Sequence, residues 1–145
     1  MRIERRFTKE GQSRYAEIEF RKALSEIKNP DGSIVFRLAD IDVPLQFSQV
    51  ATDVLAQKYF RKAGVPKILK KVEENNVPSF LWRSVADKEA MKALPKEEQY
   101  GSETDARQVF TRLAGTWTYW GWKGGYFTSE EDAAAFMDEL AYMLA

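Results

Sequence analysis

The stretch "GSETDARQVFTRLAGTWTYWGWKGGYFTSEED", residues 101–132, constrains the fold of this chain more than any other. Ser102 stands three residues before Asp105, the pattern of an N-cap with an acidic partner, and predicts a long helix opening there. Phe110, Leu113, Trp117 and Trp120 recur at steps of three and four and form one stripe; Tyr119, Trp122 and Tyr126 form a second if the helix continues. Gly121, Gly124 and Gly125 predict termination near Lys123, with a glycine in the left-handed cap. A fresh cap follows, either Thr128 with Glu131 or Ser129 with Asp132, and opens a last helix with Ala133, Phe136, Met137, Leu140 and Leu144 on its apolar face. A monomer helix ordinarily has one apolar stripe and one wet face. Bulky aromatics on two faces need two covers, so this segment reads as a buried corner between two helices that something approaches from a second side.

Upstream the period is different. The first 40 residues read as extended, with Ile18 and Phe20 alternating with Glu17, Glu19 and Arg21. "NPDGS", residues 29–33, supplies a turn, and Ile34, Phe36 and Leu38 alternate with Val35 and Arg37 beyond it, which predicts a β-hairpin. Leu24 and Ile27 cannot share a face, so a bulge or strand break is expected near Lys22 to Ser25. A hairpin is marginal alone. It must pack on the helices that come after it or on another protein. From residue 44 the period turns helical: Pro44 is placed at a helix start, and Phe47, Val50, Ala51, Val54, Leu55 and Tyr59 form one buried stripe, stopped by Gly64 and Pro66. A short helix is predicted over 66–74 with Ile68, Leu69 and Val72 inward, ended by "NNVPS". Residues 76–101 are the least regular, either an ordered, folded-over loop or a mobile one. The expected fold class is α+β, mainly helical, with an N-terminal β-hairpin followed by about four helices. A single domain 1–145 is expected, comprising a hairpin region 1–43 and a helical region 44–145.

Composition narrows function by exclusion. The 145 residues carry 22 Lys plus Arg and 22 Asp plus Glu, so no global field draws the chain to nucleic acid or anionic membrane. It contains no Cys and no His. That removes thiolate nucleophiles, thiyl radicals, thiolate metal sites and the commonest general base, and argues against an autonomous active site. No apolar run approaches a membrane span, and "MRIERRFTKEGQ" lacks the apolar middle of a signal peptide, so a cytoplasmic location is expected. The best local phosphate candidate is "KYFRKAGVPKILKK", with Lys58, Arg61, Lys62, Lys67, Lys70 and Lys71 and no acidic residue between them. A small nucleic-acid or nucleotide-binding module built on that run is the alternative reading; a solvated charged face is the plainer one. "GWKGG" is neither a Walker loop nor a dinucleotide fingerprint. Base stacking by the aromatic segment would want interleaved cations, and only Lys123 qualifies, so Trp117, Tyr119, Trp120, Trp122 and Tyr126 are read as core plus protein interface.

The segments "RRFTKEGQS", "AEIEFRKA", "NPDGSIVF", "QFSQVATDVLAQKYFRKAGVP" and "GSETDARQVFTRLAGTWTYWGWKGGYF" closely resemble the N-terminal region of the bacterial adenosylcobalamin-dependent (class II) ribonucleotide reductases. The likeness runs essentially from end to end. Arg14 stands where the family pattern has a proline, and "DKEAMKALPKEEQYG" resembles a variable loop. The resemblance implies a much larger enzyme that reduces ribonucleotides to deoxyribonucleotides for DNA synthesis through a cobalamin-generated thiyl radical in a ten-stranded α/β barrel. It implies that this chain stops before the barrel, and that the barrel, in cis or in trans, is its partner. No catalytic, cofactor or metal residue is expected here, and ribonucleotide, adenosylcobalamin and the reactive cysteines belong to the parent enzyme. No ATP-binding cone, membrane contact or nucleic-acid contact is expected.

Overall fold

The computed structural model describes residues 1–145. Strand β1, Phe20–Lys28, pairs antiparallel with β2, Ile34–Pro44, across the predicted turn. Gly32 (φ +86°) supplies the left-handed corner that an L side chain resists, and Asp31 accepts hydrogen bonds from both the backbone and the hydroxyl of Ser33. The expected register slip is present: Ala23 faces Ile41 and Ser25 faces Leu38. The extra residue lies on the partner strand, where Asp40 takes φ +56°. The bulge thus lets Ala23, Ser25, Ile41 and Val43 all face inward while Leu24 turns out.

Pro44 ends β2 and does not start the helix. Helix α1, Gln49–Val54, opens one turn later at Ser48, whose hydroxyl accepts from the Ala51 N–H, and runs into a π-helical turn, Leu55–Tyr59. The predicted stripe is only partly in the core: Leu55 is buried and Phe47 packs beside it, but half of it turns away. Thr52, Leu55, Ala56 and Phe60 are buried, whereas Val50, Val54 and Tyr59 are exposed. The hairpin dictates this: Arg21 donates to the Phe47 carbonyl and Ser25 to Asp53, which orients α1 before its own stripe can choose. The π turn then shifts the helical phase of the residues beyond Val54.

The helix expected over 66–74 is absent. β3, Val65–Pro66, pairs with β6, Tyr100–Gly101, and β4, Leu69–Lys71, with β5, Ser84–Ala86, both antiparallel. Gly64 at φ +74° followed by Pro66 favours extended chain, and the long return through 76–101 supplies the pairing partners. Leu69, expected inward, is exposed. Residues 76–101 fold over as 3₁₀ turns at Ser79–Leu81 and Lys96–Glu98 around β5 and the short helix α2, Lys88–Met91.

Helix α3, Ala106–Lys123, is capped by Asp105 with Gln108, three residues beyond the predicted Ser102. The chain cannot turn earlier because Thr104 accepts the Asp42 amide from β2 and Glu103 is drawn inward. α3 stops at Lys123 as expected, with Gly125 left-handed (φ +72°) and the Tyr126 amide bonded to the Gly121 carbonyl. Of the two candidate caps, Ser129 is used, accepting from the Asp132 amide to open α4, Glu130–Leu144. Ala114 packs with Met137 and Ala141 where α3 meets α4, and Thr118, Gly121 and Ala133 are buried along the same two helices. A Cβ on Gly121 would lie 2.8 Å from the Phe127 ring, and one on Gly115 would lie 3.2 Å from Met137.

Two apolar clusters result. One joins the hairpin, α1 and the first half of α3 through Ile41, Val43, Leu55, Phe60, Val109 and Phe110. The other joins Val77 and Leu81 to α3 and α4 through Ala114, Met137 and Ala141. Helices hold 37% of residues and strands 21%, so the chain is α+β with an N-terminal hairpin and four α-helices, and neither class is a majority. No helix is long and apolar enough to cross a membrane.

Candidate interaction surface

Because α3 turns its small residues toward α4, its rings must go elsewhere. Phe110 enters the first cluster and Leu113 packs beside it, but the stripe they begin runs off the core. Trp117 is 41% exposed, Trp120 62% and Tyr126 66%. The second stripe divides. Tyr119 and Trp122 fold over the segment after β4: the Tyr119 hydroxyl donates to both Glu74 carboxylate oxygens (2.8 and 2.9 Å), and Trp122 Nε1 donates to the Asn76 carbonyl (2.7 Å). Asn76 is left-handed (φ +61°), and Trp82 Nε1 closes the same turn by donating to the Val77 carbonyl (2.8 Å). The Glu74 hydrogen bond, with some burial, raises the Tyr119 hydroxyl above its ordinary value, so it stays protonated and donating. Of the five predicted contact residues, two are therefore latched within the chain and three are uncovered around the α3–α4 corner.

The basic run is not gathered on one face. Arg61 pairs with Glu103, Lys62 lies over the Phe36 ring at 5.1 Å, and the Lys67 stem crosses Gly101. Lys70 and Lys71 are neighbours on β4 and so point to opposite sides, with Lys71 donating to the Trp82 carbonyl. Lys58 sits in the last turn of the π segment and is exposed.

Two arrangements had no signal in the sequence. The first is Glu103, fully shielded from solvent between β6 and α3. It accepts from the Arg61 amide (2.7 Å) and from Arg112 Nε and Nη2 (3.1 Å each at the shorter contacts), while Arg112 Nη2 also donates to the Tyr59 carbonyl. Burial opposes its charge, but the Arg112 hydrogen bonds, the Arg61 amide and the two guanidinium charges outweigh it and hold the carboxyl below its ordinary value. The second is the N-terminal strap along α4. Met1 donates to the Tyr126 carbonyl, Ile3 to Asp132, and Phe7 and Thr8 to Glu139, while Arg5 and Arg14 share Asp138. A cleft of about 370 Å³ lies beside it, lined by Arg5, Arg14, Phe80, Met137 and Asp138. Arg14 Nη1 is buried without a partner. No three carboxylates converge as a metal site would need.

The family described as class II vitamin B12-dependent ribonucleotide reductase matches residues 21–145. The vitamin B12-dependent ribonucleotide reductase of Agrobacterium fabrum is 86% identical over 145 residues, all of this chain and 11% of that protein. That of Bradyrhizobium diazoefficiens is 70% identical over 145 residues, again all of this chain and 12% of that protein. That of Rhodopirellula baltica is 27% identical over 134 residues, 92% of this chain and 10% of that protein. The chain thus spans 11 or 12% of the length of the first two of these curated relatives. An α+β unit without Cys or His, matched throughout by such relatives, belongs to the class II, vitamin B12-dependent ribonucleotide reductase family as its N-terminal domain.

Proposed function

We propose that this chain acts structurally, as a single domain 1–145 that docks on the catalytic α/β barrel of an adenosylcobalamin-dependent ribonucleotide reductase, with Trp117, Trp120 and Tyr126 as contacts and Tyr119 and Trp122 as their support. The observation that carries this reading is the exposure of those three rings, Trp117 and Trp120 on α3 and Tyr126 just after it, while another side of α3 is buried through Ala114, Thr118 and Gly121. Large uncovered aromatics at the centre of a patch are the usual anchors of protein interfaces. The parent reaction, reduction of ribonucleotides to deoxyribonucleotides for DNA synthesis in the cytoplasm, is assigned to the barrel. The donor set here does not fit the cofactor: the chain has no His or Cys, and its cleft of about 370 Å³ is walled largely by charged side chains, of which Arg5 and Arg14 are paired with Asp138. No chemical step is routed through these residues.

The test is binding of this chain to a reductase lacking residues 1–145. Trp120→Ala should weaken it at least about thirtyfold, the loss of a typical aromatic anchor of about 2 kcal/mol. Absence of association would sink the docking reading, and recovered cobalamin-dependent reduction would show that the barrel accepts the domain in trans. The rival, a nucleotide or nucleic-acid module on residues 58–71, has less support because Arg61 and Lys62 are engaged within the chain. Salt-dependent binding of single-stranded RNA would revive it.

A further inference from the structure

We infer that the outward face of α1, centred on Val50 and Val54, is a second interface, covered in the full reductase by the stretch of the same polypeptide that directly follows Ala145. The inference rests on the proposed function, in which this chain is one domain of a longer protein. α1 and its π turn are apolar on two opposite sides. Thr52, Leu55, Ala56 and Phe60 face the hairpin and α3, while Val50 (72% exposed), Val54 (48%) and the preceding Leu45 (50%) face solvent. Val50 and Val54 are four apart and so stand on one face, one turn from each other. A surface helix with apolar residues on both sides is one that is covered on both.

The position of the end of α4 argues for that source. The Gln46 side-chain amide donates to the Ala145 carbonyl at 3.0 Å, and Leu144 and Ala145 pack on the cluster that contains Leu55 and Ala56. The end of α4 is thereby delivered to the start of α1, four residues before Val50. At roughly 3.3 Å per residue, about five further residues would reach across Val50 and Val54. This chain covers 11% of the Agrobacterium protein, so most of that relative lies outside the region matched.

A second copy is a poorer occupant. Two valines and a leucine fall far short of the roughly 800 Å² per partner that a stable free-standing interface buries. A tethered segment does not need that area, because its effective concentration is already on the order of millimolar or more. The face is also separate from the aromatic corner: α4 has 15 residues, so its two ends stand about 22 Å apart. The domain would be held at both ends of its helical hairpin.

The experiment places the photocrosslinker p-benzoylphenylalanine at Val50, and separately at Trp120, in the full reductase, and maps the products by mass spectrometry. The expected result at position 50 is an intrachain link to the first thirty or so residues after Ala145. A link to a second copy, a link elsewhere in the polypeptide, or no link overturns the inference. If position 120 links to the barrel while position 50 does not, the docking function stands and this inference falls; the reverse removes the aromatic docking surface and keeps this one. As an independent readout, Val50→Glu with Val54→Glu should speed proteolytic cleavage just after Ala145 at least tenfold in the full reductase while leaving the melting temperature of the 145-residue chain unchanged. Unchanged cleavage overturns the inference.

Discussion

Replacing Glu103 by Gln should cost this chain about 2–3 kcal/mol at pH 7. Glu103 is the one charged residue fully removed from solvent, and it ties three elements: the Arg61 amide after α1, its own position after β6, and Arg112 on α3. Glutamine keeps the volume and one acceptor, so the 2.7 Å bond from the Arg61 amide survives. The bond from Arg112 to Oε2 does not, and the one left on Oε1 meets a neutral acceptor; hydrogen bonds to charged groups are worth roughly 1.5–3 kcal/mol net. Arg112 and Arg61 remain 31% and 54% exposed, which screens the loss, while the new amide N–H group set against a guanidinium adds about 1 kcal/mol of unmet donor. Glu103→Ala should cost more, about 4 kcal/mol, because the Arg61 amide loses its acceptor and a cavity opens. Urea unfolding of the wild type and the Gln variant across pH measures this. The Glu103 carboxyl is held below its ordinary value, so its stabilisation is complete above the unfolded-state value near pH 4.5 and is lost as pH falls through the folded-state value. The gap between the two proteins should therefore be full at pH 7 and shrink below about pH 4. A gap under about 1 kcal/mol at pH 7, or one that persists unchanged as far into acid as both proteins fold, would show that the ion-pair knot does not support the fold.

Three further outcomes are expected. Gly121→Ala gains about 1 kcal/mol of helix propensity but drives a methyl to 2.8 Å from a Phe127 ring that already packs, tilted, at 5.3 Å from Phe136, an overpacking cost of about 2 kcal/mol; the melting temperature should fall by about 3 °C, and a rise would refute the close packing of Phe127 on α3. Trp122→Phe removes the donor to the Asn76 carbonyl and should cost about 1 kcal/mol, whereas Trp120→Phe should stay within about 0.5 kcal/mol in this chain; the opposite ranking in chemical denaturation would reverse the assignment of latch and free surface. Glu139→Gln weakens three bonds that hold Phe7 and Thr8, at 3.2, 2.8 and 2.5 Å, and should speed protease cleavage within the first 14 residues about fivefold, the equivalent of roughly 1 kcal/mol; equal cleavage rates would mean that the strap is held by other contacts.

Local chemistry was legible wherever a residue type has one conformational use. The hairpin turn, the α3 stop at Lys123 and a cap at Thr128 or Ser129 stem from Gly, Pro, Asp, Ser and Thr at fixed offsets, and the register slip from the broken alternation of Leu24 and Ile27. The close match between quoted segments and the reductase family was legible for a different reason, the length of the shared text. Buried faces were harder to read. Val50 and Val54 carry the same period as Leu55, and nothing in a single helix says which of two apolar sides meets the core. In the second half of α3 the rings are the larger apolar groups, yet Ala114, Thr118 and Gly121 are buried there, because Met137 and Phe127 come too close to the helix to leave room for larger side chains.

By itself, then, the sequence determined the N-terminal hairpin, the last two helices with the glycine corner between them, and the family. Those are decided by backbone torsions at single residues and by identities along the chain. Only the tertiary structure decided that two short strands, Val65–Pro66 and Leu69–Lys71, stand in place of the expected helix, that α3 is capped at Asp105, that Glu103 is an interior anion, and that Trp120 and Val50 stand uncovered. Each of these depends on a partner distant in sequence: β5 for β4, Asp42 for Thr104, Arg112 and Arg61 for Glu103, and Gln46 for the end of α4. Periodicity ranks the faces of one element, but the free energy of burial belongs to pairs of elements, and which pairs form is settled by the whole chain at once.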